Sequence, residues 1–290
     1  DIYFSAGRAK ANVCISGIGG YIACSSGSYV YDCHNTGSVT ASGSVPGATY
    51  LCVGGIFGRT QQNIVDKCSN SADATISSSS VCQQLYIGGI GGTTSSGDAV
   101  KITNCTNEAQ ISSTSAATTK TYIGGILGQF WSNKTEDIIV DIEAVDDSGA
   151  SAPTKASTTS TLSGCINIGN VKAEGKPSVT VLGGIVGNSA ISVSDCKAYA
   201  NIECLECPKI GMIMGTARTT AIKANNCWVG GKIAYGIDQM DLAVQRVTLQ
   251  GDNYFNYIYG GETAWEAESD YDGCQWLEKK PTIVAPTPAE

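Results

Sequence analysis

The sequence predicts an all-β fold: a right-handed parallel β-solenoid (β-helix) of about six repeats, closed by a C-terminal aromatic cap. Three observations lead there. A glycine-rich hexapeptide returns along the chain, and a cysteine-centred segment returns in step with it. Aromatic residues crowd the C-terminal stretch that carries neither.

The hexapeptide reads Val53-Gly54-Gly55-Ile56-Phe57-Gly58, then Ile87-Gly88-Gly89-Ile90-Gly91-Gly92, Ile123-Gly124-Gly125-Ile126-Leu127-Gly128 and Leu182-Gly183-Gly184-Ile185-Val186-Gly187. Ile18-Gly19-Gly20-Tyr21-Ile22-Ala23 is a degenerate first copy, and Ile210-Gly211-Met212-Ile213-Met214-Gly215 is a last copy short of one glycine. A Gly-Gly pair inside a strand marks a bulge, a bend or a close backbone approach. Which flanking apolar residue faces inward is not decided by the pattern.

The second half of the repeat is centred on Cys33, Cys68, Cys105, Cys165, Cys196 and Cys227. Three residues earlier stands Val30, Val65, Ile102, Leu162, Val193 or Ala224. Two residues later, four copies have Asn35, Asn70, Asn107 or Asn167, and the last two have Ala198 and Val229. A small residue follows at the fourth position, and Val39, Ile111, Val171, Ile202 or Ile233 at the sixth. The second copy slips, with Ala74 in that place and Ile76 two residues further on. Spacing by two is the period of one strand face, and the alternate positions are mostly polar. With strand-like stretches such as Thr121-Tyr122-Ile123 ahead of the glycines, each repeat holds about three short strands.

One repeat is too small to bury its own apolar face, so neighbours must stack. Parallel stacking places equivalent residues about 4.8 Å apart, and the winding is expected to be right-handed. A disulfide brings its Cβ atoms to about 3.8 Å, so the six in-step cysteines read as a column of buried thiols. The four asparagines read as a parallel amide ladder. Cys14, Cys24, Cys52, Cys82, Cys204, Cys207 and Cys274 fall outside that column, and a bridge such as Cys24 to Cys52 stays open. Cys204-Leu205-Glu206-Cys207 is a single C-x-x-C without the second pair a zinc site needs, and reads as corner packing.

Composition narrows the function. The net charge is −8, and Lys and Arg are scattered, which excludes a nucleic-acid partner. No run is long and apolar enough to span a membrane, and residues 1–14 show neither a repeat nor a signal-peptide pattern. Nothing calls for a cofactor or a metal. His34 is the single histidine, and alternation from Cys33 turns it outward.

The combined pattern resembles the GLUG-type repeat of bacterial surface proteins, over roughly residues 15–235. That resemblance implies an exported, adhesin-like protein at the outer cell surface, of a kind common in gut Bacteroidetes. It carries no catalytic residue to transfer.

Two regions depart from the repeat within a solenoid domain of 1–235 and a cap and Pro-rich tail of 236–290. An insertion arm spans 131–160, where Ile138, Val140, Ile142 and Ala144 alternate with acidic residues before a turn at Asp146-Asp147-Ser148-Gly149. It reads as a hairpin. Nine aromatic residues lie between Trp228 and Trp276, suited to covering an open solenoid end. From these two regions come the candidate binding residues: Trp131, Asp141 and Glu143 on the arm, and Tyr257, Tyr259 and Trp265 in the cap. The expected function is non-catalytic display of loops for a host or dietary glycan or a surface protein. The alternative is a polysaccharide lyase or hydrolase on the same fold, an analogy of fold alone because the carboxylates do not align. A flat threonine ladder for ice or mineral is not formed.

Overall fold

The structure, a computed structural model, describes residues 2–6, 12–45, 50–139, 155–174, 179–204, 207, 209–219, 222–235, 245–246, 257–258, 274–276 and 279–283. Its strands stack in parallel as a β-solenoid with three sheets. The first sheet takes one strand from each of six coils: Val13–Ser16, Leu51–Gly54, Gln84–Gly88, Lys120–Gly124, Thr180–Gly183 and Lys209–Gly211. The second sheet begins just after the Gly-Gly pair, for example at Gly91–Thr94, and resumes ahead of the cysteine, for example at Lys101–Thr103. The third carries the Cys-x-Asn segment and the strand beyond it, such as Thr106–Asn107 and Gln110–Ser113.

Each corner between sheets has its own chemistry. The Gly-Gly pair is the bend from the first sheet to the second, and it turns so sharply that three apolar residues around it all face inward. Ile87, Ile90 and the residue at the Phe57, Leu127 and Val186 position belong to one core. The corner from second to third sheet is made by a left-handed residue directly before each column cysteine: Asp32, Lys67, Asn104, Gly164, Asp195 and Asn226, with φ between 49° and 64°. Five of these six are Asp, Asn or Gly, the types that tolerate this backbone. The thiol that follows then donates to the carbonyl two residues back, as Cys105 does to Thr103 (3.2 Å) and Cys68 to Asp66 (3.4 Å). Apolar bulk and a weak donor in one small side chain explain why cysteine recurs there.

The asparagine ladder forms. Asn35 Nδ2 donates to Asn70 Oδ1 (3.2 Å), Asn70 to Asn107 (3.0 Å), and Asn107 to Asn167 (2.8 Å). Gly17, Gly55, Gly89 and Gly125, at the bend of successive coils, lie against this ladder from across the interior. A Cβ at Gly89 would collide with the Asn107 amide, and one at Gly125 with the Asn167 amide. The two halves of the repeat therefore require each other: the amide fits because the facing position has no side chain. In the sixth coil the glycine is replaced by Met212 and the ladder residue by Val229, both buried in the core.

Four sequence expectations are corrected. Residues 2–6 join the array, since Ile2–Ala6 pairs in parallel with Val39–Gly43 and sets Ile2 beside Val39. Cys274 belongs to the cysteine register, because Cys274–Trp276 pairs with Cys227–Tyr235 and places Cys274 opposite Cys227. The first hexapeptide is Ile15-Ser16-Gly17-Ile18-Gly19-Gly20 rather than residues 18–23, since Ile15 pairs with Val53 and Gly19 with Phe57. Cys14, rather than Cys24, thereby stands beside Cys52. Cys204 and Cys207 are disulfide-bonded, with Cα atoms 5.9 Å apart, rather than packed as thiols. The slip in the second copy is a local two-residue turn at 72–73, after which Ile76 pairs with both Val39 and Ile111.

The insertion leaves the second sheet after Phe130 and returns at Thr161. Thr135–Ile139 pairs antiparallel with Lys155–Thr159 and runs close to Gly19–Tyr31 of the first coil, so the hairpin lies along the solenoid. Asp141, Glu143, Tyr259 and Trp265 lie outside the described residues, as do most of 236–290. Tyr257 falls in a two-residue strand, Tyr257–Ile258, paired antiparallel with Gln245–Arg246.

Candidate binding site in the outer angle of the solenoid

At the Gly-Gly bend the outer faces of the first and second sheets close toward each other. The register aligns Cys14, Cys52, Tyr86, Tyr122, Val181 and Lys209 as one outward column on the first sheet. It aligns Tyr21, Arg59, Thr93, Gln129, Asn188 and Thr216 as the facing column on the second. Side chains meet across the angle: Arg59 donates to the Tyr50 hydroxyl, and Lys209 donates to Thr216 Oγ1 at 3.3 Å.

The angle is lined with rings and cations. Tyr86 and Tyr122, in register on successive coils, have centroids 5.8 Å apart, and Tyr50, two residues out of that register, has its centroid 6.2 Å from Tyr86. Lys120 Nζ lies 6.0 Å from the Tyr86 ring, 5.7 Å from Tyr122 and 5.6 Å from Trp131. Arg218 stands 4.9 Å over Trp131. Arg59 lies between the rings of Tyr21 and Tyr50, at 5.3 and 5.4 Å. Beneath them the polar column is linked along the axis, with Thr93 donating to Gln129 (3.5 Å) and Gln129 to Asn188 (3.3 Å).

Burial sets the titration of these groups. It raises Tyr50, Tyr86 and Tyr122 above the ordinary phenol value and holds Lys120 below the ordinary ammonium value. At the first-coil end, Cys14 is lowered by the donating Cys52 thiol, with Arg59 helping. Its neighbour Cys52 is fully buried and pushed up by burial.

No family model, curated protein or solved structure matches the chain.

Of the two sequence candidates among the described residues, Trp131 falls in this site, within reach of Lys120 and Arg218, and Tyr257 does not. Tyr50, Tyr86, Tyr122, Lys120, Arg59 and Arg218 were not singled out. A signal was present: the residue immediately before each Φ-Gly-Gly varies widely while its neighbours repeat.

A second constellation stands on the third sheet. His34 Nε2 lies 3.2 Å from Asp32 Oδ1, and Nδ1 lies 2.7 Å from Ser69 Oγ. These are triad distances without triad surroundings. His34 and Asp32 are exposed, and the Ser69 and Ser71 amides donate to the Cys33 and Asn35 carbonyls. Neither amide is free to hold an oxyanion, and an exposed carboxylate orients an imidazole weakly. Among the described residues no group of three or more His, Cys, Asp or Glu could hold a metal ion. No helix among them is long and apolar enough to cross a membrane.

Proposed function

We propose that this chain is a non-catalytic, adhesin-like protein of the exported or outer-surface type that binds glycan along the outer angle of its solenoid. The observation that carries the reading is the cluster of half-buried rings Tyr50, Tyr122 and Trp131 in the angle, with Tyr86 buried between Tyr50 and Tyr122. Tyrosine and tryptophan offer an apolar face together with a polar edge, which matches the mixed surface of a sugar ring. The buried Thr93, Gln129 and Asn188 side chains brace the wall beneath the rings. The GLUG-type resemblance supports the same reading. Among the described residues, those lining both walls include no Asp or Glu, whereas glycoside hydrolysis uses two opposed carboxylates.

The test is retention of the purified chain on immobilised glycans, with the paired substitutions Tyr122→Ala and Trp131→Ala as the probe. Retention lost in the paired variant supports the reading. Equal retention by the variant, or release of reducing ends from a bound glycan, counts against it.

A further inference from the structure

Four cations stand in the outer angle: Lys209 donates to Thr216, and among the described residues the other three, Arg59, Lys120 and Arg218, are held by rings and by no carboxylate. Among the described residues the ion pairs lie elsewhere: His34 with Asp32, and Lys172 with Glu174 and Glu203. Arg59, Lys120 and Arg218 have none, in a chain whose net charge is −8. Aromatic faces position a cation without neutralising it. Trp131 holds two of them, one on Lys120 from the first sheet and the other on Arg218, two coils further along. Arg218 follows Ala217 in the register, and the coil between presents only Ala190 at that place, so its side chain reaches Trp131 unobstructed. The pair is thus built from both walls of the angle, both cations within reach of one indole.

We infer that the outer angle takes an acidic polysaccharide, a saccharide chain bearing carboxylate or sulfate groups, with Lys120 and Arg218 beside Trp131 as its anion-binding pair. This rests on the glycan-binding reading above and narrows it to a chemical class. A planar guanidinium offers two parallel donors to a carboxylate or sulfate. Lys120 adds a point charge from the opposite wall. Tyr122 and Trp131 contact the sugar face, and Arg59 repeats the cation-and-ring arrangement at the first-coil end, beside Tyr21 and Tyr50. From second to sixth coil these charges span four coil spacings, roughly 19 Å at the ordinary strand separation. A chain laid along the axis would meet both. The overall negative charge disfavours general adhesion to a polyanion, so binding of one reports on this local arrangement.

The experiment measures affinity of the whole chain for four probes: polygalacturonate, dextran sulfate, uncharged dextran and polyglutamate. The expected result is binding of one or both acidic polysaccharides, with dextran and polyglutamate at least about tenfold weaker. The carboxylate and sulfate arms tell which anion is preferred. The double variant K120Q/R218Q should lose about tenfold or more for the acidic probe, as expected when charge-assisted hydrogen bonds are removed. K172Q, on the third sheet, should bind as the parent does. Its melting temperature and that of the double variant confirm folding. Dextran bound as tightly as the acidic probes would overturn the acidic class and leave the glycan reading standing. Polyglutamate bound equally would overturn the saccharide requirement. Unchanged affinity in K120Q/R218Q would overturn the site, and failure of all three polysaccharides to bind would remove both readings.

Discussion

The asparagine column of the third sheet and the outward column of the first sheet are built by the same stacking, yet they obey opposite sequence rules. Asn35, Asn70, Asn107 and Asn167 repeat because each amide must find its own kind above and below, with a glycine facing it. Cys52, Tyr86, Tyr122 and Val181 stand in equally regular register, but a thiol, two phenols and an isopropyl group share the column. Constancy along a solenoid column marks a position that builds the coil. Variation along one marks an outward position whose side chain the coil interior does not dictate.

The sharpest way to break this contrast is to fill a glycine that faces the ladder. Gly89→Val should drive a side chain into the Asn107 amide and the Gly125 carbonyl. The expected loss is about 3 kcal/mol or more, read as a fall in melting temperature of roughly 6–12 °C. Next comes substitution of each column by a residue that the same column uses elsewhere. Asn107→Val, copying Val229, should cost about 2 kcal/mol because the Asn70 and Asn167 amides lose a buried partner. Asn35→Val, at the end of the ladder, should cost about half as much in the same denaturation assay. The counterpart Tyr122→Val, copying Val181, should cost about 1 kcal/mol or less while weakening glycan retention.

Alkali tests the thiols. The Cys105 thiol and then burial raise Cys68, burial raises Cys105 and Cys165, and burial lifts Cys82 to about 11. An unfolded thiol ionises near pH 8.5. The folded form holds its protons longer, so this contribution is complete below about pH 8.5 and is lost as pH rises beyond it. Melting temperature should fall steadily between pH 9 and 11, less steeply in Cys82→Ala. A flat profile would show that these thiols are not buried. The smallest effect is at Lys67, the one corner residue of the six that is neither Asp, Asn nor Gly, with φ 54°. Lys67→Asn should raise stability by about 0.5–1 kcal/mol by relieving the left-handed backbone, net of its lost contact with Tyr31.

The coil was legible in the sequence wherever packing forced identity. Cysteine, asparagine and glycine returned at fixed intervals because an interior column admits few alternatives. The left-handed corner was harder to see, since Asp32, Lys67, Asn104 and Gly164 share a backbone conformation and no side-chain type. Ile2 and Cys274 escaped notice because a strand of three to five residues at an array end lacks the second half of the repeat. The outer angle was hidden for a different reason. Its members come from separate parts of the repeat, Tyr122 just before the glycines and Trp131 beyond them, and only the sharp bend brings them together. Arg218 and Trp131 meet across two coils, a relation no single repeat contains.

The fold and the outer angle both depend on successive repeats lying in register, and the asparagine side chains report it most directly. In an NMR spectrum with selectively labelled asparagine, the Nδ2 protons of Asn70 should show cross-peaks to Asn35 and Asn107, and those of Asn107 to Asn167, with slow exchange against solvent. Side-chain amides that exchange freely and show no such contacts would contradict the stacked array.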